Sequence, residues 1–372
     1  MVWRADIRTV YTGTYSCSRP INWRNMSISI SSLIKDLNVG RDHTAETAEW
    51  IMSEILQGKL SDEEIASWIT ALSTKGETPE EIEFFINIMY RYALPINISQ
   101  RAVDPVGTGG DGFHTINIST TSAIVAASAG CIVAKHGSVA ATSKSGSADV
   151  LLELGINTDL DGAANEASVA KFGIAFMKAT KYHSSLRYAA PARRAIAKPT
   201  VFNVLGPLSN PSKPKAIALG IAPLNRFDLM SEVMRNRGAD GFVVRGNDGM
   251  DEITIVTTTK VREIFDGKAR DFEISPEDFG FERASIDTLR GGLPAENAVI
   301  IRDYLAGKTG PIRDALLLNS GLTIAAFRGE HQKDIYEQIK FGIQSAADAI
   351  DSGKALKLLN EWGTYTQSVG AN

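Results

Sequence analysis

The stretch "DPVGTGGDGFHTINIST", residues 104–120, decides the fold of this chain. Gly107, Gly109 and Gly112 have the spacing G-x-G-x-x-G, which is typical of a strand that turns through a glycine loop into a helix. Such a turn collects backbone N–H groups at the helix N-terminus, and glycines allow a phosphate to approach the backbone closely. The bare spacing is equally compatible with a tight turn that binds nothing, so the flanking residues must decide.

The residues that follow the loop argue against a dinucleotide. In dinucleotide-binding folds an acidic residue about 20 positions further on holds the ribose hydroxyls. Here the next predicted strand carries Lys135 and His136 instead. Asp111, inside the loop, suits ribose hydroxyls or the shell of a magnesium ion better than a bare pyrophosphate. The loop therefore predicts a sugar phosphate with additional anionic charge, and no G-x-x-x-x-G-K-[ST] pattern occurs at this turn to indicate a nucleotide P-loop.

Composition indicates a globular cytoplasmic protein. The chain has 372 residues, of which 44% are hydrophobic and 22% charged, and its net charge is −4. This balance gives no global attraction to nucleic acid or to an anionic membrane. Cys17 and Cys131 are too few for a disulfide framework or a zinc site. No stretch approaches 18 uninterrupted apolar residues, so no membrane partner is expected.

Residues 1–25 are expected to be a dispensable N-terminal extension. They lack the continuous apolar core that a secretory signal requires. Their arginines are scattered without an amphipathic pattern, which is weak evidence for a transit peptide: Arg4, Arg8, Arg19 and Arg24. Met26 begins a segment that is typical of a domain start.

Residues 26–98 are predicted to form a small α-helical domain. Apolar residues recur there at helical spacing in three consecutive segments. Ser61 and Glu64 have the spacing of a capping box at the start of the second segment. Thr78 and Glu81 repeat that spacing at the start of the third. Three short antiparallel helices follow from this pattern.

The rest of the chain predicts a larger α/β domain with a mainly parallel central sheet, formed by residues 99–183 and 207–372. Short β-branched runs alternate there with helical segments, as in sheets that are covered by helices on both faces. The expected strands include residues 131–137, 173–178, 215–221, 241–246 and 252–258. The basic segment 184–206 interrupts this alternation. We expect its helices to join the helical domain, which would leave a cleft and a hinge between the two domains.

An adjacent acidic pair follows the predicted strand 241–246. Asp251 and Glu252 lie in "GNDGMDEIT", after the glycines Gly246 and Gly249. Magnesium prefers a few carboxylates together with substrate phosphates and water, so this pair is a candidate metal site. An isolated pair of this kind is more often a solvated acidic turn. The tight glycine loop before it and the anion loop near residue 107 favour the metal site.

A third polar stretch is "AKHGSVAATSKSGSAD", residues 134–149. Lys135 can act as a point charge on a phosphate. Ser143, Ser145 and Ser147 have the character of hydroxyl donors in a second anion loop. His136 has two open interpretations, a ligand contact or a histidine satisfied within the core.

These stretches together resemble the anthranilate phosphoribosyltransferase family, from about residue 27 to the C-terminal helix. The motifs that carry the resemblance are "GTGGDG" (107–112), "NIST" (117–120), "KHG" (135–137), "SKSGSAD" (143–149), "TVFNVLGPLSNP" (200–211) and "DGMDE" (248–252). Several long motifs in the same order are far more specific than one glycine loop. The resemblance implies a small helical domain on a larger α/β domain, a homodimer formed through the helical domain, and two magnesium ions per subunit.

The resemblance also implies the reaction and its residues. The family transfers 5-phosphoribose from phosphoribosyl pyrophosphate to the amine of anthranilate and releases pyrophosphate, a step of tryptophan biosynthesis. The residues implied for phosphoribosyl pyrophosphate are Gly107, Thr108, Gly109, Gly110, Asp111, Thr115, Asn117, Ser119, Thr120, Lys135 and Ser143. Those implied for anthranilate are Gly107, His136, Ser138, His183 and Arg193. Ser119, Asp251 and Glu252 are the implied magnesium ligands.

The chemistry implied by the family needs no nucleophilic side chain. Breaking the bond from C1 of the ribose to pyrophosphate builds negative charge on the leaving group. Lys135, Asp251 and Glu252, the last two through magnesium, are the expected transition-state stabilisers. An arylamine is neutral at pH 7 and attacks without a strong base, so no general base is assigned.

Departures from the family pattern lie on the acceptor side. Ser138 and Val139 stand where asparagine and arginine are usual after "KHG". Further departures are Lys178, Thr180, Ser184 and Leu186. Two alternatives therefore stay open: a relative that shares the fold and uses another aromatic acceptor or phosphorolysis, and a non-catalytic relative that binds nucleic acid through "RYAAPARRAIAK", residues 187–198.

Overall fold

The computed structural model describes residues 28–140 and 144–370. The predicted extension 1–25 and the predicted pyrophosphate ligand Ser143 lie outside the described residues.

Four helices form the N-terminal part of the described chain: α1 (Ile30–Asn38), α2 (Ala45–Leu56), α3 (Asp62–Lys75) and α4 (Pro79–Tyr92). The last three are the helices that the sequence predicts. Both predicted capping boxes are present, because the Ser61 hydroxyl accepts from Glu64 N at 3.2 Å and Ser61 N donates to the Glu64 carboxylate at 2.9 Å. The second box has the same two bonds. Helix α1 was not predicted as a separate element.

His43 holds the core of this helical part together as a neutral side chain. Its ring is 6% exposed, and its Nε2 accepts a hydrogen bond from the indole N–H of Trp68 at 3.0 Å. Its backbone N–H donates to the buried carboxylate of Glu81 at 2.8 Å. Burial lowers the pKa of His43 from 6.5 to about 4. Protonation of Nε2 would remove the acceptor that the Trp68 indole needs.

We therefore expect the free energy of unfolding to fall as the pH is lowered from about 6.5 to about 4. Above pH 6.5 His43 is neutral in both the folded and the unfolded protein. Between pH 6.5 and about 4 the unfolded chain binds a proton at His43 that the folded protein does not bind, and this favours unfolding. The loss attributable to this residue is roughly 3 kcal/mol. Denaturant titrations at several pH values should show that the free energy of unfolding of His43→Gln depends less on pH than that of the parent. If the free energy of unfolding depends on pH equally in variant and parent, His43 is not the source of the pH dependence.

The larger part of the chain is built on one sheet. Its strands are β1 (Val103–Gly107), β2 (Val133–Gly137), β3 (Ile174–Lys178), β4 (Ala216–Gly220), β5 (Asp240–Gly246), β6 (Thr259–Phe265) and β7 (Lys268–Ile274). Their order across the sheet is β3-β2-β1-β4-β5-β6-β7. The five strands from β3 to β5 pair in parallel, whereas β6 and β7 are antiparallel. The predicted fold class, a small helical domain with a larger α/β domain around a mainly parallel sheet, is confirmed.

One predicted strand is wrong. Residues 252–258 form a loop instead, since their β-branched side chains anchor the chain rather than join the sheet. The Thr254 hydroxyl donates to Asp248 at 2.6 Å, and Ile253 and Ile255 are buried in the core. The hairpin of β6 and β7, which follows at once, was not predicted.

Helices cover both faces of the sheet. They are α5 (Ile118–Ser128), α6 (Ser147–Glu153), α7 (Gly162–Phe172), α8 (Ala179–Tyr182), α9 (Ala190–Ile196), α10 (Val201–Leu208), α11 (Phe227–Asn236), α12 (Pro294–Leu305), α13 (Pro311–Arg328), α14 (Ile335–Asp351) and α15 (Lys354–Val369). One apolar cluster joins one face of the sheet to α5, α6 and α12–α15. A second cluster joins the opposite face to α1–α4 and α9–α11.

The segment between β3 and β4 packs on the N-terminal helices. Ala189, Ala192 and Phe202 belong to the same buried cluster as the side chains of α1–α4. The assignment of residues 184–206 to the helical domain stays a prediction. Among the residues that the structure describes, no helix is both long and apolar enough to cross a membrane.

Candidate active site

The carboxyl ends of β1 and β4 meet at the candidate site, where Asp251 lies against both strands. Gly107 and Gly220 end these strands and pair with each other. A Cβ atom at Gly107 would stand 2.2 Å from Asp251 Oδ2, and one at Gly220 would stand 1.5 Å from the Asp251 carbonyl oxygen. Glycine is therefore required at both positions, because any side chain would push the acidic loop away from the sheet.

The glycine loop is held on the same aspartate. Gly109 N donates to Asp251 Oδ2 at 2.7 Å. Gly109 and Gly110 have φ of 64° and 81°, a left-handed conformation that glycine adopts without strain. Thr108 ties the loop to β4, since its N–H donates to the Gly220 carbonyl and its hydroxyl accepts from Ala222 N, both at 3.0 Å. The two predicted loops, near 107 and near 251, thus form one structure.

Three carboxylates converge at this point. One oxygen each from Asp111, Asp251 and Glu252 lies within 4.8 Å of the others. Burial is the main cause that raises the pKa of each group, and the neighbouring carboxylates add to it for Asp251 and Glu252. The pKa of Asp251 rises to about 6 and that of Glu252 lies well above its usual value. A cluster of hard oxygen donors in this state fits a magnesium ion, whose charge would relieve the repulsion.

Lys135 lies beneath the glycine loop as a buried cation. Its side chain is 3% exposed, and its Nζ donates to the Pro105 carbonyl at 2.6 Å and to the Ser119 hydroxyl at 3.4 Å. Burial lowers the pKa of Lys135 to about 8, and the charges of Asp104, Glu252 and Asp251 partly offset that effect. The lysine is therefore a buried cation within electrostatic reach of Asp104 and the acidic pair, and it forms no ion pair with them among the described residues.

The first turn of α5 brings the remaining donor-side residues to this edge. The amide of Asn117 donates to the Ser145 carbonyl at 3.0 Å and accepts from the Ser145 hydroxyl at 3.1 Å. The Thr120 hydroxyl donates to that of Ser147 at 3.0 Å. These bonds join the start of α5 to the chain around Ser145 and Ser147, called the serine loop below. Thr115 lies slightly apart, in a bridge with Arg290.

The acceptor-side histidines face each other. The rings of His136 and His183 are edge to face with centroids 5.4 Å apart, and both residues are buried. Burial lowers the pKa of His183 and lowers that of His136 to about 3, so both rings are neutral. The Nε2 of His183 contacts the Ser209 carbonyl at 2.8 Å, whereas the Nε2 of His136 is buried without a partner among the described residues.

Arg193 and Ser138 stand apart from this pair. The Arg193 guanidinium lies over the Phe202 ring at 5.3 Å, and burial lowers its pKa. Within residues 28–140 and 144–370 it forms no ion pair with a carboxylate. Ser138 is half-buried, and its carbonyl accepts from Ala148 N at 3.1 Å. No hydrogen bond joins either residue to the histidines in the described part of the chain.

One of the acceptor-side departures has a structural explanation. Lys178 forms an ion pair with Asp159 at 3.1 Å, and Lys181 donates to the Asp159 carbonyl. The amine of Lys178 is thus engaged in the loop that precedes α7. Nothing in the structure explains the serine at position 184.

Sequence reasoning missed several residues that build the site. Asp104 accepts from His136 N at 3.1 Å and from the amide of Asn210 at 2.7 Å, so it fixes the "KHG" strand. Asn319 of α13 clamps the acidic loop, because its amide exchanges two 2.9 Å bonds with the backbone of Ile253. The sequence carried no signal for Asn319, which lies inside an apolar helix. Asn210 stands within the quoted motif 200–211.

Comparison with known proteins defines the class first. The family model "Glycosyl transferase family, a/b domain" matches residues 99–356, and "Glycosyl transferase family, helical bundle domain" matches residues 31–93. The anthranilate phosphoribosyltransferase of Rhodococcus jostii is 42% identical over 341 residues, which span 92% of this chain and 94% of the relative. The chain belongs to the anthranilate phosphoribosyltransferase family.

Solved structures agree with this assignment. Anthranilate phosphoribosyltransferase from Thermus thermophilus superposes with a TM-score of 0.82 at 34% identity, covering 90% of this chain and 99% of that one. The enzyme from Saccharomyces cerevisiae in complex with PRPP and Mg gives 0.81 at 26% identity, covering 91% and 98%. The yeast enzyme has also been solved in complex with 4-fluoroanthranilate.

Proposed function

We propose that this chain transfers 5-phosphoribose from phosphoribosyl pyrophosphate to the amine of anthranilate, giving N-(5-phosphoribosyl)anthranilate and pyrophosphate in tryptophan biosynthesis. The observation that carries the proposal is the junction at Asp251, where the glycine loop is bonded to the acidic pair and the buried charge of Lys135 acts on the same carboxylates. The yeast relative, whose solved complexes contain PRPP with Mg and 4-fluoroanthranilate, supports the same two substrates.

The donor would bind along the edge formed by the glycine loop and α5. The N–H group of Gly110 and the N-terminus of α5 provide an electropositive surface for the pyrophosphate and the 5-phosphate. The Gly109 N–H is already donated to Asp251 and holds the loop in place. Asn117, Ser119 and Thr120 contribute polar groups at the start of the same helix. Ser143 is proposed to complete the pyrophosphate site from the serine loop.

Magnesium would be held by Asp251, Glu252 and Ser119, with Asp111 directly beside them. Bound there, it would neutralise charge on the pyrophosphate as that group leaves. Lys135 would add a fixed positive charge, which the buried contacts with Pro105 and Ser119 hold in place. Two ions per subunit are proposed because the family resemblance implies a second one.

The acceptor would lie beside the histidine pair. Neutral His136 and His183 can contact an arylamine without protonating it, and the buried Nε2 of His136 has no other partner among the described residues. No base needs to remove a proton before attack, since the nitrogen lone pair of an arylamine is free at pH 7. Alignment of the two substrates and exclusion of water would supply most of the rate enhancement.

Arg193 is proposed to bind the anthranilate carboxylate, because its half-buried guanidinium has no carboxylate partner in the described part of the chain. We expect Arg193→Ala to raise KM for anthranilate by about tenfold or more, the value of one charge-assisted hydrogen bond. KM for phosphoribosyl pyrophosphate should stay within about twofold of the parent value. Steady-state kinetics with each substrate varied would measure both, and the exposed neighbour Arg194→Ala is the matched control. An unchanged KM for anthranilate would remove Arg193 from the acceptor site.

The reaction is tested by product analysis. Purified protein, phosphoribosyl pyrophosphate and magnesium are incubated with anthranilate or with other aromatic acids and bases as acceptors, and products are identified by mass spectrometry. We expect one phosphoribosylated anthranilate for each pyrophosphate released. Exclusive transfer to another acceptor would retain the donor site and reject anthranilate, and the departures at Ser138 and Val139 would then be its first explanation.

Assembly and compartment follow from the same family. We propose a homodimer through the helical domain and a cytoplasmic location.

The proposed boundaries are 26–98 with 184–206 for the helical domain, and 99–183 with 207–372 for the α/β domain, with a hinge and cleft between them. No nucleic-acid partner is proposed. Two arginines of the basic segment 187–198 lie over aromatic rings of the protein, Arg187 over Tyr188 and Arg193 over Phe202, and are not arranged as one open basic surface.

A further inference from the structure

The amide of Asn117 is fixed from two sides. Its Oδ1 accepts hydrogen bonds from the Ser145 hydroxyl at 3.1 Å and from Asn297 Nδ2 at 2.9 Å. Its Nδ2 donates one bond, to the Ser145 carbonyl at 3.0 Å. An amide offers two acceptor positions and two N–H donors. Both acceptor positions are therefore used, and one N–H has no partner among the described residues and stays available for a ligand.

Asn297 is held in turn by the glycine pair that precedes it. It lies near the start of α12, is 1% exposed, and accepts from Gly292 N at 2.7 Å. A Cβ atom at Gly291 would stand 2.6 Å from Asn297 Oδ1. Since Oδ1 already accepts from a backbone N–H, Nδ2 is the end that must face Asn117. The orientation of one amide thus dictates the orientation of the other.

The same segment is bonded to the chain that follows the glycine loop. Ile116 N donates to the Leu289 carbonyl at 2.9 Å, and Gly291 N donates to the His114 carbonyl at 2.8 Å. The segment from 289 to 297 therefore forms a brace, bonded at several points to the entry of α5. Sequence reasoning gave this segment no role.

We propose that Asn297 is a positioning residue for the phosphoribosyl donor. By donating to Asn117 Oδ1 it keeps the free N–H of Asn117 directed at the donor, and it keeps the glycine loop and the serine loop in register through Ser145. Asn297 itself does not contact the donor. The inference rests on the proposed function, since it concerns the proposed donor site.

A merely structural role makes a different prediction. A buried asparagine that only fills space and satisfies Gly292 would affect folding stability and leave donor binding unchanged. Asn297→Asp separates the two roles, because the carboxylate keeps the size of the side chain and the acceptor for Gly292 N but cannot donate to Asn117. Asn165, buried in α7 with three hydrogen bonds of its own, is the matched control for loss of a buried amide.

The test is calorimetric titration with magnesium and phosphoribosyl pyrophosphate in the absence of any acceptor, beside thermal melting of each variant. We expect Asn297→Asp, Asn297→Ala and Asn117→Ala each to raise Kd about tenfold, equivalent to about 1.4 kcal/mol. The double variant Asn117→Ala with Asn297→Ala should be no weaker than Asn117→Ala alone, because one residue acts through the other. Asn165→Ala should lower the melting temperature without changing Kd.

The outcomes are distinct. Donor binding by Asn297→Asp equal to that of the parent, or additive losses in the double variant, would overturn the inference while the proposed function stands. Failure of the parent protein to bind the donor would overturn the proposed function and the inference together. If the parent protein binds the donor but does not transfer phosphoribose to anthranilate, the proposed acceptor is wrong. The Kd values of the variants for the donor then still decide whether Asn297 positions Asn117.

Discussion

Asp251→Asn combined with Glu252→Gln is expected to lower kcat by roughly 100-fold or more and to abolish activation by magnesium. The two substitutions keep the size of the side chains and one acceptor oxygen in each, but they remove two of the three carboxylates that lie within 4.8 Å of one another. The amide oxygen introduced by Asp251→Asn can still accept from Gly109 N, so the glycine loop should keep its conformation. What is lost is the negative charge that holds the metal against the leaving pyrophosphate.

The same variant is expected to unfold at a higher temperature than the parent when no metal is present. Burial and mutual repulsion raise the pKa of both carboxyl groups, so their charged forms destabilise the folded state. Loss of activity together with gained stability distinguishes a functional site from a structural one. Asp62→Asn with Glu63→Gln, an exposed pair at the start of α3, is the control for removing two adjacent charges. Turnover close to that of the parent would reject the assigned roles.

Lys135→Met should lower kcat by about 100-fold. Methionine fills nearly the same buried volume, but it neither donates to the Pro105 carbonyl and the Ser119 hydroxyl nor carries charge among Asp104, Asp251 and Glu252. The leaving group would lose its fixed positive partner, while the loops keep their packing.

Steady-state kinetics at saturating magnesium would measure the effect of Lys135→Met, because excess metal cannot replace a charge that is fixed beneath the loop. The exposed Lys340→Met is its control, and it should leave kcat unchanged. If Lys135→Met keeps the kcat of the parent, the lysine is a structural cation only, and leaving-group stabilisation must come from the magnesium held by the acidic cluster and from the loop amides.

Much of the fold could be predicted from local sequence. Capping boxes at Ser61 and Thr78 specify helix starts through the residues that form them, so their prediction needed no tertiary information. The alternation of apolar runs with helical segments was sufficient for a mainly parallel sheet. The hairpin β6–β7 was missed although the sequence carries a local signal for it, because the dipeptide Asp266-Gly267 favours the positive φ that both residues have in its turn.

The failure at residues 252–258 has a physical reason. A short β-branched run has the composition of a strand whether its backbone joins a ladder or its side chains anchor a loop. Here the backbone of Ile253 bonds to the side chain of Asn319, which is 66 positions away in the chain. No local pattern can report a partner at that distance.

The residues of the candidate site also fall into two groups, those that the local sequence could predict and those that it could not. Residues inside contiguous motifs, such as Gly107 and Lys135, could be predicted because strand ends and glycine loops are local features. Residues that orient them, such as Asp104, Asn297 and Asn319, act across long separations, and their hydrogen bonds appear only in the folded chain. The roles assigned to the motif residues stay predictions until the variants are measured.

We propose that the site at Asp251 transfers phosphoribose to anthranilate. The most direct test of this proposal is the time course of anthranilate fluorescence with purified protein, phosphoribosyl pyrophosphate and magnesium. The account predicts loss of the signal only when protein, donor and metal are all present, and no loss with Asp251→Asn plus Glu252→Gln. A signal that stays constant for the parent protein, while calorimetry shows the donor bound, would contradict the assignment of anthranilate as the acceptor.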